Sequence, residues 1–188
     1  MKRFVSSALL IAPALAFAHT GDGSLHDHGF ATGFAHPFTG LDHLGAMLAV
    51  GLWSALAQRG KNVVVAPVSF AGLLLVGALL GMAGFTLPAV EPMVAASVLV
   101  LGLLAAVRFH LNAAASGALV GAFALFHGLA HGAELQGYAA LAGMVVATAL
   151  LHGIGIALGL KLTTRTARVA GGGIALLGAG LLAQMVFA

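Results

Sequence analysis

From about position 33 onward the chain is apolar almost without a break, and the interruptions are short and carry Gly, Pro or charge. A run near 20 residues matches the hydrocarbon thickness of a bilayer, whereas a soluble helix would show a polar face at a period of 3.6. Six runs are long enough, at about 33–57, 63–83, 92–108, 113–130, 138–160 and 168–187. The predicted fold is all-α: a polytopic membrane protein whose six-helix transmembrane bundle is joined by short loops, with no soluble domain. Glycines recur inside the runs: Gly72, Gly77 and Gly81 in the second, Gly117 and Gly121 in the fourth, Gly178 in the last. In lipid, small residues let helix backbones approach closely, so these positions predict packing faces.

Ahead of the bundle the pattern changes. Met1-Lys2-Arg3 is basic, Phe4 to Ala14 is apolar but too short to span and holds Pro13, and Ala16-Phe17-Ala18 supplies an A-x-A cleavage pattern. Residues 1–18 read as a signal peptide cut after Ala18, in preference to an uncleaved anchor helix. The cut leaves His19 at the new terminus, where its α-amino nitrogen and imidazole can share one metal ion. Asp22 and His26-Asp27-His28 follow, so 19–32 reads either as a periplasmic metal-capture leader or as a plain solvated one. The transmembrane domain is then 33–188.

Composition narrows the function. Hydrophobic residues make up 61% of the 188 and charged residues only 7%, against about 45–50% and 25% in soluble domains. A water-soluble enzyme, a DNA-binding module and a disordered tail are excluded. With no cysteine, disulfides and thiolate metal sites are excluded as well. The net charge of +3 hints at nucleic acid until the charges are located. Arg59 and Lys61, then Arg108, then Lys161, Arg165 and Arg168 fall in alternate loops, while Asp22, Asp27, Asp42, Glu91 and Glu134 fall on the opposite side. The positive-inside rule puts both termini outside the cytoplasm, in agreement with the signal peptide. The partner is lipid, not nucleic acid, and a homo-oligomer is left open.

Nine histidines against eight basic and five acidic residues is an unusual ratio, and several lie within the runs, where ionisable groups are costly and mark a pathway or a cofactor. One cluster is His36-Pro37-Phe38-Thr39-Gly40-Leu41-Asp42-His43. Pro37 suits the first turn of a helix, which predicts His36 at or before its start. On an ideal helix His36 and His43 share a face and Asp42 points about 120° away. Either an irregular start at Thr39-Gly40 brings the three together, or Asp42 supports a histidine from behind. Met47, one turn past His43, is read as packing rather than as a sulfur ligand. The second cluster is Phe126-His127-Gly128-Leu129-Ala130-His131-Gly132-Ala133-Glu134. Spacings of four and three place His127, His131 and Glu134 on one helical stripe, and Gly128 and Gly132 admit a neighbouring helix. Two imidazoles and a carboxylate suit a borderline divalent metal; two polar clusters meeting water at the interface is the plainer alternative. His152, alone in the fifth run, is either a satisfied core residue or a further ligand. His110 reads as a wet loop residue, and Ser69, Ser97, Ser116 and Thr148 as hydroxyls bonding their own helices.

His36-x5-Asp42-His43 together with Phe126-His127-Gly-x-Ala-His131-Gly-x-Glu134 resembles the HupE/UreJ family of nickel permeases. The likeness covers essentially the whole mature chain, with both motifs in order. It implies nickel, and by extension cobalt, as transported ion rather than cofactor, carried across the bacterial inner membrane to hydrogenase or urease maturation. It also implies that His36, Asp42, His43, His127, His131 and Glu134 are the functional positions. The residues themselves support capture of a divalent cation by His19, His26 and His28, transfer to the two intramembrane clusters, and His152 as the next stop. No Walker-type glycine loop is present, so the reading is a transporter driven by facilitated diffusion or secondary coupling, without catalytic residues. Three histidines and an acid can equally hold zinc with a position open for water, which makes an intramembrane zinc-dependent hydrolase the alternative; a b-type haem with paired histidines is a weaker one.

Overall fold

The computed structural model describes residues 29–135 and 137–187. The signal peptide and His19, Asp22, His26, Asp27 and His28 of the expected capture leader lie outside the described residues.

The chain forms α1 (Phe30–Thr39), α2 (Leu41–Ala57), a 3-10 turn (Gly60–Val64), α3 (Val65–Met82), α4 (Val90–Val107), α5 (Ala113–Glu134), α6 (Tyr138–Lys161) and α7 (Thr164–Phe187). Among the described residues there is no strand. Five helices, α3 to α7, are long and apolar enough to cross a membrane, and the sixth candidate is the pair α1–α2, bent by 84°. The protein is therefore an all-helical, multi-pass membrane protein.

The bend corrects the expectation of one continuous span over 33–57. Helix begins at Phe30, and Pro37 lies inside α1 rather than in its first turn, so His36 is helical too. The mechanism is local. Pro37 has no N–H to offer the Gly33 carbonyl one turn back, which weakens the ladder. Gly40 then follows with φ −91° and ψ 121°, extended backbone that starts α2 in a new direction. Those torsions suit any residue; glycine here leaves space for the Asp42–His43 pair. A Cβ at position 40 would stand 2.8 Å from the Asp42 Oδ1 and 3.3 Å from the His43 Nδ1.

Helix α2 is the hub, with Met47, Val50 and Trp53 fully buried, and it packs on α6, α4 and α7. Helices α3 and α5 pack most intimately, through Gly77 and Gly81 against Gly128 and Gly132, whereas Gly72, also expected at a packing face, is exposed with nothing near it. A Cβ at Gly128 would lie 2.7 Å from the Ala78 nitrogen and 2.8 Å from the Gly77 Cα, and one at Gly132 would lie 2.8 Å from the Ala78 carbonyl carbon. Backbone cannot retreat as a side-chain tip does. Gly128→Leu is therefore expected to force α3 from α5, costing about 3 kcal/mol or more of stability. A markedly lower melting temperature in detergent checks this; an unchanged one contradicts the packing.

One end of the bundle is fastened by side chains reaching the α4–α5 loop. The Trp53 indole N–H donates to the Phe109 carbonyl at 2.8 Å, and the Gln58 amide donates to the Leu111 carbonyl at 2.7 Å and to Ser116 Oγ at 2.9 Å. His110 is exposed, as expected of a loop residue, and its Nδ1 also donates to the Ala57 carbonyl. Arg59, Lys61, Arg108, Lys161, Arg165 and Arg168 cluster at this end, and Asp42, Glu91 and Glu134 lie at the other. The charge asymmetry expected of a membrane protein is thus built into the bundle.

Candidate metal centre

Helix α5 runs unbroken to Glu134, past the expected end near 130, and so carries His127, His131 and Glu134 on one stripe as the spacing predicts. The bend at Gly40 turns His36 of α1 and His43 of α2 onto that stripe. His131 is the meeting point: its ring centroid lies 4.6 Å from that of His36 and 3.9 Å from that of His43. His43 in turn lies 4.8 Å from His127. His36 Nε2 is 3.4 Å from a Glu134 carboxylate oxygen. His36, His131 and Glu134 each offer a donor atom, and the three lie within 4.8 Å of one another.

Burial grades along this line. The side chains of Glu134 and His36 are 60% and 28% exposed, whereas His127 and His131 are fully buried. Buried polar atoms are nearly always hydrogen-bonded. Here His43 Nε2, His127 Nδ1, both nitrogens of His131 and His152 Nε2 are buried without a hydrogen-bond partner. Leaving such a group unsatisfied costs about 1–3 kcal/mol, and a cation among these nitrogens would satisfy those that carry a lone pair.

Both readings of Asp42 have a counterpart in the geometry: the chain breaks at Gly40, and the Asp42 carboxylate bonds His43. Its Oδ1 accepts from His43 Nδ1 at 2.9 Å and from the His43 backbone N–H at 2.8 Å. Asp42 therefore stands behind His43, fixes the proton on Nδ1 and leaves Nε2 as the free acceptor, the arrangement found behind metal-bound histidines.

Past His127 the line continues through an aromatic ring. Phe70 of α3 lies 5.4 Å from His127 and 5.2 Å from His152, edge-on to the latter. His152 on α6 is 2% exposed. At 1.5 Å per residue, His127 sits about 10 Å below the end of α5 and His152 about 21 Å below the start of α6. Met47 is packed as expected, its sulfur accepting from the Thr148 hydroxyl at 3.3 Å.

Three residues at the site escaped the sequence reading. Phe70 is one of eleven phenylalanines and carries no local signal. Glu91, placed above only by its side of the membrane, opens α4 close enough to interact electrostatically with Asp42, Glu134 and His43. Ser97 bonds its own helix, as expected, and also contacts His127 Nε2 at 2.8 Å.

The family described as HupE / UreJ protein matches residues 7–181. The chain belongs to the HupE/UreJ family. Among relatives, Protein HupE of Rhizobium leguminosarum bv. viciae is 43% identical over 185 residues, covering 93% of this chain and 94% of its own. No solved structure matches. The HupE/UreJ match spans every described helix but the last residues of α7, so both histidine motifs and the helices that join them lie within it.

Proposed function

We propose that this HupE/UreJ protein carries divalent nickel, and cobalt by the same donor chemistry, across the bacterial inner membrane into the cytoplasm, where it serves hydrogenase or urease maturation. The observation that supports the reading is the single file of unpartnered imidazole nitrogens running inward from the half-exposed His36–Glu134 pair to His152. An ion in a bilayer must exchange its hydration shell for protein donors at each stop. Imidazole nitrogen with carboxylate oxygen is a donor set that borderline divalent ions accept.

In this mechanism the acidic end faces the periplasm and the basic end the cytoplasm, as the charge asymmetry supports. The ion enters between His36 and Glu134 and loses water. His131, His43 and His127 then take it up, while Asp42, Glu134 and the nearby Glu91 offset its charge in a medium of low dielectric. Beyond Phe70 it meets His152. His19, His26 and His28 of the leader concentrate ions at the entrance. A dication moving down about 100 mV gains roughly 4.6 kcal/mol, on the order of a thousandfold accumulation, so facilitated diffusion suffices.

Radioactive nickel uptake tests the reading in cells carrying the full chain. His43→Ala is expected to lower uptake to the background of cells lacking the protein, with the variant still present in the membrane. Uptake at the unmutated rate discards the site.

A further inference from the structure

Helix α4 packs against both α2 and α5, yet its one polar side chain inside the bundle, Ser97, was read as a hydroxyl serving its own helix. We infer that Ser97 is a positioning residue for metal binding: it fixes the proton of His127 on Nε2 and so presents the Nδ1 lone pair to the ion. The inference rests on the proposed function and extends it to a residue outside both motifs.

The argument is a proton count. A serine hydroxyl has one hydrogen to give. In Ser97 it is directed at the Val94 carbonyl, 2.6 Å away. The contact between Ser97 Oγ and His127 Nε2, 2.8 Å, then has Oγ as acceptor and the ring N–H as donor. Neutral imidazole carries one N–H, so Nδ1 holds a lone pair. The opposite tautomer fails on a second count. His127 is fully buried and its Nδ1 has no partner, so a proton there would be an orphaned buried donor. A lone pair in the same place is satisfied when a cation arrives. Ser97 thus does for His127 what Asp42 does for His43. The two rings lie 4.8 Å apart, and each keeps one buried nitrogen without a partner, Nε2 on α2 and Nδ1 on α5.

The test uses the full-length purified protein in detergent with Co2+ alone as probe, its affinity read from visible absorption or calorimetry. Loss of such a supporting hydrogen bond lowers metal affinity about 10- to 100-fold, and that is the loss expected for Ser97→Ala. Ser97→Thr keeps a hydroxyl that can bond the carbonyl one turn back in a helix and is expected to hold affinity near that of the unmutated protein. A double-mutant cycle separates positioning from packing: in a His127→Gln background, Ser97→Ala is expected to cost nothing further. Unmutated affinity in Ser97→Ala, or an equal loss from Ser97→Ala with and without His127, overturns the inference. Should Ser97→Thr fail to fold, the cycle decides alone. If the unmutated protein binds neither Ni2+ nor Co2+, the proposed function itself fails, a result distinct from binding that is indifferent to Ser97.

Discussion

Replacing His131 with alanine is expected to abolish nickel uptake and to weaken metal binding at least about a hundredfold, the upper range for loss of a single supporting contact. The His131 side chain is fully buried. Its ring stands between those of His36 and His43, and it shares a donor cluster with Glu134, so it joins all three elements, α1, α2 and α5. Both of its nitrogens are buried without partners. Deleting the ring therefore breaks no hydrogen bond within the protein and leaves nothing newly orphaned, and the fold is expected to survive. The variant should fold and melt somewhat lower than the unmutated protein, by the cavity the ring leaves, with no added cost from a lost hydrogen bond. His43→Ala differs in kind, because it strips Asp42 of its ring N–H partner in a half-buried place and adds a stability cost. Equilibrium dialysis with nickel, alongside melting curves in detergent, checks both halves. A His131→Ala protein that binds nickel as tightly as the unmutated one would show that the rings cluster for some other reason.

The membrane bundle was legible because its signal is long and one-dimensional. Unbroken apolar runs, basic loops on alternate sides and glycines at helical spacing need no knowledge of what touches what. The stripe of His127, His131 and Glu134 was legible for the same reason, since helix geometry alone aligns residues four and three apart. The bend at Gly40 was not. Apolar residues continue on both sides of it, so no polar gap marks the joint, and Pro37 reads equally well as a helix opener or as a weakener near a helix end. The choice is made by α6, on which α1 packs through Gly33 and Gly143, and no local pattern encodes that contact. Ser97 was hidden differently. Serines inside membrane helices routinely bond their own carbonyls, and Ser97 does so; its contact with His127, thirty positions away, depends on how α4 leans on α5. What stayed obscure consists of tertiary contacts, which periodicity does not carry.

His152→Leu is expected to separate binding from movement. Leucine is close to histidine in size and suits an interior position in lipid, and His152 Nε2 has no hydrogen bond to lose, so the bundle should tolerate the change. The residues proposed to hold the ion, from Glu134 to His127, are untouched, and affinity measured by dialysis should stay within about twofold. Uptake should nevertheless fall tenfold or more, a barrier increase of about 1.4 kcal/mol. The reason is spacing. The Phe70 ring contacts both His127 and His152, and it offers a dication a face but no lone pair, so the next donor must be within reach past it. Without His152 the ion leaves His127 for an apolar stretch with no ligand to replace its water, and it stays bound where it is. A site that binds and does not conduct is also what an intramembrane hydrolase would show before any mutation, so the unmutated protein must accumulate nickel for the comparison to count. If it does, and His152→Leu accumulates nickel at the same rate, then the ion leaves the outer cluster by another route and the single file of histidines ends at His127.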